Sequence, residues 1–301
     1  FTPKMPGEYS ISYTGSNPSG SVSKEFYLIV EIPIRPVTPE SSAYISKVFE
    51  YLPAPGQFIN KNLGNWASAE KLVGGSLNMV SLGGYGGYII FGFDHSIVNE
   101  EGYDLAIYGN PAKAPYEWAE PGIVMVSQDA NANGLPDDKW YELAGSEYNS
   151  AETIKNYEVT YYNPKADGKD IPWKDNQGRS DVVLANNFHK QNYYPLFAPN
   201  QDSITFKGTL LKSTFRQNGG ISINEGFAWG YSDTWSIDDD YESKRYNSFD
   251  ISNAVNAEGK KVVLKAIDFV KVYTGQNSKG NTMMGEISTE VKGAADIRLL
   301  K

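Results

Sequence analysis

An all-β fold is predicted from three features of the 301-residue chain. Short apolar runs alternate with polar residues at a period of two, the pattern of strands with one buried face. The chain has 21 Tyr, 13 Phe and 6 Trp beside 29 Gly and 16 Pro, a mixture that favours pleated strands and tight turns over helices. The clearest 3.6-residue pattern is a single helical turn at Asp250 to Val255. The expectation is a jelly-roll-like β-sandwich preceded by the terminal strands of an immunoglobulin-like domain.

Glu8 to Tyr13 and Lys24 to Ile32 alternate about a Gly/Ser/Asn/Pro turn, which predicts a β-hairpin. An isolated hairpin is barely stable in water. Residues 1–35 are therefore read either as the last strands of an immunoglobulin-like sandwich or as an arm that packs on the rest of the chain. Three prolines between Ile32 and Pro39 make residues 36–44 a semi-rigid linker. Residues 45–301 form the sandwich. Its predicted strands are Ser76 to Leu82, Tyr88 to Phe93, Asp104 to Tyr108, Ile123 to Ser127, Trp140 to Leu143, Tyr157 to Tyr162, Ser203 to Phe206, Val262 to Leu264 and Ile267 to Tyr273. Asn163 to Asn200, rich in Asn, Asp, Lys, Gly and Pro, reads as one long loop. No fixed-period repeat is found, which argues against a propeller or solenoid.

Between two of these strands lies Asp129-Ala-Asn-Ala-Asn-Gly-Leu-Pro-Asp-Asp138. Oxygen-bearing side chains at alternate positions around a glycine turn are what a hard divalent cation requires. The loop is read as a structural Ca2+ site with Asp129, Asn131, Asn133 and Asp137 as side-chain ligands and Leu135 giving its carbonyl. Trp140 stands where an EF-hand carries its closing Glu, so closure falls to Asp138, Glu142 or a residue elsewhere. Two neutral amides among four ligands imply an affinity of roughly 10⁻⁴–10⁻³ M. The rival is a plain Asn133-Gly134 hairpin turn, but such a turn needs none of the other spaced oxygens.

Composition narrows the partners. The chain has no cysteine, so disulfides and thiolate metal sites are excluded. A net charge of −9 opposes nucleic acid and anionic membranes, and Tyr88 to Phe93 is far shorter than the roughly 20 residues of a membrane helix. An exported protein is expected, with its signal removed or lying outside this sequence.

Catalytic signals are sparse. The two histidines are His95 and His189; His95 follows Asp94, but neither a serine elbow nor an H-E-x-x-H zinc motif accompanies it. Gly83-Gly-Tyr-Gly-Gly87 lacks a following helix and is read as a turn or a close approach of two backbones rather than a phosphate loop. Asp238 to Glu242 could supply a second cation site or the paired carboxylates of glycoside hydrolysis, against the plainer reading of a solvated loop. Ligand-binding candidates are Trp229, Tyr231, Asp233 and Trp235, with Phe227 on the same face if that segment is extended. Core packing is the competing reading, strongest for Phe227 and Trp229. Tyr116 and Trp118, on a proline-bounded loop, form a second candidate platform.

Ala54 to Asn60, Gly92 to Asn99, Glu120 to Ser127, Phe269 to Tyr273 and Gly285 to Glu290 together resemble cell-surface proteins of Bacteroidota that carry a PKD-like domain ahead of a β-sandwich module. Residues 1–32 match the end of the PKD-like part. The resemblance implies an exported lipoprotein at the outer membrane, associated with a transporter for glycans or for corrinoids such as vitamin B12. It brings no catalytic residues. The expected function is non-catalytic capture of a glycan or corrinoid; the alternatives are a carbohydrate-active enzyme and a protein-binding adhesion module.

The calcium reading predicts that a chelator lowers the melting temperature and that Asp129→Ala abolishes the difference between chelated and calcium-loaded protein. A melting curve indifferent to chelator removes the metal.

Overall fold

Ile267-Asp-Phe-Val-Lys-Val-Tyr273 alternates in pattern, yet almost every residue of its strand, Ala266–Thr274, is buried. Both faces of that strand are covered. In the computed structural model, which describes residue 3, residues 6–75 and residues 78–300, it lies inside a six-stranded antiparallel sheet. From edge to edge the strands are Ala254–Val255, Trp140–Leu143, Gly122–Ser127, Ala266–Thr274, Tyr88–Val98 and Lys47–Leu52.

One face carries Val124, Val126, Val270, Val272, Ile89 and Phe91 into an apolar cluster shared with a three-stranded sheet formed by Asn247–Phe249, Leu105–Tyr108 and Gly293–Asp296. The opposite face carries Ile123 and Tyr273 into a second cluster. That cluster is closed by a four-stranded sheet of Ser180–Val183, Ile171–Asp175, Ile154–Tyr162 and Ser203–Leu210. Tyr157, Val159 and Tyr161, at alternate positions of one strand, supply its inner face. The chain is thus an all-β sandwich, as expected, with both faces of its middle sheet covered by further sheets. This double burial explains the continuous apolar run Tyr88 to Phe93.

Gly7–Asn17 and Gly20–Val30 form the expected hairpin, paired along their whole length and in a sheet of their own. Ile11 opposes Phe26 and Tyr13 opposes Lys24 on a largely open face, with Tyr13 68% and Phe26 56% exposed. The proline-rich segment beyond is anchored by Arg35. Its guanidinium donates to Asp268 Oδ1 at 3.0 and 3.1 Å and to the carbonyl of Phe93 at 3.0 Å, and its backbone amide donates to Ser96 Oγ.

Several boundaries need correction. Val262 to Leu264 is not a strand, and Val263 is 88% exposed. Asn163 to Asn200 is not one loop: Ile171–Asp175 and Ser180–Val183 form a hairpin within it at one edge of the four-stranded sheet, sending Ile171 and Val183 into the second cluster. Lys47–Leu52 escaped notice because a register shift between Val48 and Glu50 breaks the period of two. Of Ser76 to Leu82, Val80–Ser81 is strand, while Ser76 and Leu77 lie outside the described residues. The turn at Ile251–Asn253 is a 3-10 helix capped by Asp250.

The glycine run is the expected close approach of two backbones. A Cβ on Gly83, which sits at φ +70°, would lie 2.0 Å from the Ala54 carbonyl oxygen. Gly178 has φ +77° and open space around it. Gly83→Ala is therefore expected to cost about 1–3 kcal/mol more than Gly178→Ala, read from denaturant midpoints. Equal costs would mean that strain in φ, and not the backbone contact, sets the requirement.

Candidate ligand cavity and buried carboxylates

The predicted ion loop is tightly built. Both Asp129 oxygens accept backbone amides, from Asn133 at 3.0 Å and Gly134 at 2.9 Å. Asp137 accepts the side-chain amides of Asn131 and Asn133 at 3.1 and 2.9 Å, so these predicted ligands converge. Asp138 Oδ2 accepts the Ala130 amide, and the Leu135 amide donates to Asn133 Oδ1. The donor set suits a hard cation, which would need the two amides turned to present their oxygens. Glu142 does not close this loop: it accepts from Thr209 Oγ1 at 2.6 Å and pairs with Lys155 at 3.7 Å.

Where Glu142 does point is a cavity of about 600 Å³, whose walls include Trp140, Glu142, Tyr148, Lys155, Thr209 and Asn256. Strand Trp140–Leu143 brings in Trp140 and Glu142, strand Ile154–Tyr162 brings in Lys155, and strand Ser203–Leu210 brings in Thr209. Lys155 Nζ lies 3.1 Å from the Tyr148 ring centroid. Burial pushes the Glu142 carboxyl up and the Lys155 ammonium down, each partly offset by the other. Aromatic rings and convergent polar groups in a cavity of this size match a site for a small polar ligand. Sequence reading missed it because its residues come from separate strands; shifted titrations confined to one cavity are visible only in three dimensions.

The predicted aromatic residues divide. Lys113, Ala114 and Glu117 do meet Trp235, Ile237 and Glu242 around a cleft of about 360 Å³. Lys113 and Arg245, however, lie over the Trp235 ring at 5.6 and 5.0 Å, which occupies it with cations rather than leaving it for a ligand. Tyr116 is exposed on the neighbouring loop. Trp118 packs edge-on against Phe215 at 6.1 Å, and Trp229 is half-buried away from the cleft. Tyr231 is a core residue, 2% exposed and packed on Phe227, and offers no ligand face. The extended geometry assumed for this segment fails at Gly230 and Asp233, both at positive φ.

Asp233 is not a handle for ligand either. It is buried with Glu120 and Glu290, and oxygens of the three carboxyls lie within 4.8 Å of one another. Asp233 accepts the amides of Asn110 at 2.8 Å and Glu290 at 2.9 Å, and Glu120 accepts that of Ser288 at 2.8 Å. Burial raises the Glu120 carboxyl as well, and its nearness to Glu290 favours a proton held by one of the pair. Burial, and then mutual repulsion, holds the carboxyls of Asp233 and Glu290 far above their usual range. Such a group can share protons or hold a divalent cation. Glu286 is nearby, raised by burial to about 7.

His95 and Asp94 form no catalytic pair. The ring is buried and clamped between Asp94 at 2.7 Å and Asp296 at 3.0 Å, and the bond to Asp296 raises its pKa against burial. In the acidic run, Asp239 is buried on Asn247 and Ser248, while Glu242 pairs with Lys113.

Comparison with protein-family models and with curated proteins finds no match for this chain.

A raised carboxyl binds its proton more tightly in the folded state. The stability that Glu286 contributes is therefore complete below its unfolded value of about 4.3 and is lost as pH rises through about 7. In chelated protein this amounts to a loss on the order of 3 kcal/mol between about pH 4 and pH 8, and Glu286→Gln is expected to flatten it. Denaturant titrations of both proteins across that range measure it; parallel pH profiles would exclude Glu286 as the source.

Proposed function

We propose that the protein is a non-catalytic surface binding module that captures a glycan in the cavity walled by Trp140, Tyr148, Glu142 and Lys155. The observation that carries this reading is the cavity itself. It offers the Trp140 ring as a face for a sugar, an ion pair and a hydroxyl for its OH groups, and about 600 Å³, within the range of small-ligand sites. One or two sugar rings fit that volume. A corrinoid, several times larger than a single sugar ring, would stand mostly outside it, so the glycan is the favoured ligand.

Calcium belongs to the same proposal. Trp140 follows Asp138 by two residues and pairs with Ser127 across the base of the loop. An ion held by Asp129, Asn131, Asn133 and Asp137 would fix the start of the strand that presents Trp140 and Glu142. Placement at the cell surface, beside an outer-membrane transporter, rests on the sequence resemblance alone.

A second reading is favoured by one fact: Glu258 lines the same cavity as Glu142, whose carboxyl is raised by burial. Two carboxyls about 5–9 Å apart are the requirement for glycoside hydrolysis.

A glycan array followed by calorimetry on the best ligand separates these readings. Trp140→Ala is expected to weaken sugar binding at least about ten-fold, and chelation to weaken it in the parent. Released reducing sugar would convert the module into an enzyme. A washed protein that stays red after incubation with a corrinoid would replace the glycan, and sugar affinity unchanged in Trp140→Ala would sink the cavity as its site.

A further inference from the structure

Away from that cavity, segments 58–63 and 188–191 enclose a second one of about 470 Å³. Its walls include Lys61 and Lys190, the two phenyl rings of Phe58 and Phe188, and His189. No carboxylate lines it, in a chain of net charge −9. Among the described residues neither lysine is engaged in an ion pair, so both ammonium groups keep protons free for an anion. Phe188 is 65% exposed, and Phe58 meets the His189 ring edge-on at 5.2 Å. An apolar ring left in solvent beside two unpaired ammonium groups has no structural role that its surroundings explain.

The walls are also held in place. Buried Gln57 takes a hydrogen bond from Asn186 and donates to the Met284 carbonyl at 2.8 Å. Gln191 donates to the carbonyl of Gln57 at 2.6 Å. Asn60 donates to the carbonyls of Asn192 and Tyr194, both at 2.7 Å. Lys190 Nζ donates to the Asn186 carbonyl at 3.1 Å, which fixes the ammonium and leaves two of its protons for a ligand. Surface loops seldom carry so many crosslinks unless their conformation matters, and a site set before binding loses less entropy when it fills.

We propose that this cavity binds a small anion attached to a flat ring, of the class of aryl or sugar phosphates and carboxylates. The ammonium groups of Lys61 and Lys190 take the anionic oxygens through charge-assisted hydrogen bonds, and Phe58 and Phe188 flank the ring. This site shares no residue with the proposed glycan cavity, so either can fail alone.

Calorimetry on the full chain with phenyl phosphate, inorganic phosphate and neutral phenyl β-glucoside tests it. Phenyl phosphate is expected to bind saturably with Kd near or below about 1 mM, at least ten-fold tighter than either other probe, and more weakly as salt rises. Lys61→Gln, whose side chain makes no internal bond among the described residues, is expected to weaken it about ten-fold without moving the melting temperature. Phe188→Ala should lower affinity for phenyl phosphate and leave inorganic phosphate unchanged. Absence of saturable binding at about 10 mM, equal affinity for the glucoside, or an unchanged Kd in Lys61→Gln overturns the anion site. Equal affinity for inorganic and phenyl phosphate overturns the role of the ring.

Discussion

Three carboxyls enclosed together in a dry interior, Glu120, Asp233 and Glu290, set the terms for one end of this sandwich. Carboxylates taken out of water must be protonated, hydrogen-bonded or neutralised. Here two of them recruit backbone amides, Asn110 and Glu290 turning to Asp233 and Ser288 turning to Glu120, while Glu290 accepts the Ser288 hydroxyl. Loops that belong to three distant parts of the chain are thereby drawn to a common point. The strained φ of Asp233 and the need for glycine at 109, where a Cβ would lie 2.5 Å from Asp233 Oδ1, follow from the same convergence. Neutralisation is what makes the arrangement tolerable, so the protonation of these carboxyls bears on all of the loops they join.

The opposite end is organised differently. Asp268 sits on the middle strand, 1% exposed, and divides its two oxygens between tasks. One takes Arg35 and Ser96 Oγ, and the other takes the Asp129 amide at 2.8 Å. The 129–138 loop is therefore rooted in the centre of the sheet and runs from there into Trp140 and the cavity it walls. Geometry at the cavity depends on a loop whose own shape is held by side-chain caps on backbone amides.

Much of the fold was legible in sequence. Strands such as Gly122–Ser127, Trp140–Leu143 and Ala266–Thr274 carry apolar patterns strong enough to name them within a residue or two. Lys47–Leu52 was hidden by its bulge, and the hairpin at 171–183 by the polar run Lys174 to Asp181 that separates its few apolar residues. The sites were far less legible. Nothing in the sequence marks Glu120, Asp233 and Glu290 as a buried group, because burial is decided by residues distant along the chain. Tyr231 was assigned to a ligand face by an alternation that Gly230, at positive φ, interrupts, and Asp233 only as a polar group flanking that face. The oxygen spacing of 129–138 was visible because its geometry is local, whereas the cavity beside it was not, because no single segment contains it.

The Arg35 to Asp268 linkage has a mechanical consequence. A pull on the amino-terminal arm runs along the chain into the edge strand Lys47–Leu52, but the Arg35 bond gives it an earlier anchor on an interior strand, flanked on both sides by hydrogen-bonded neighbours. Sheets yield most easily when an outermost strand is peeled off one bond at a time; loading an inner strand forces many bonds to break together. An arm exposed to drag or traction is thus tethered where the body resists best.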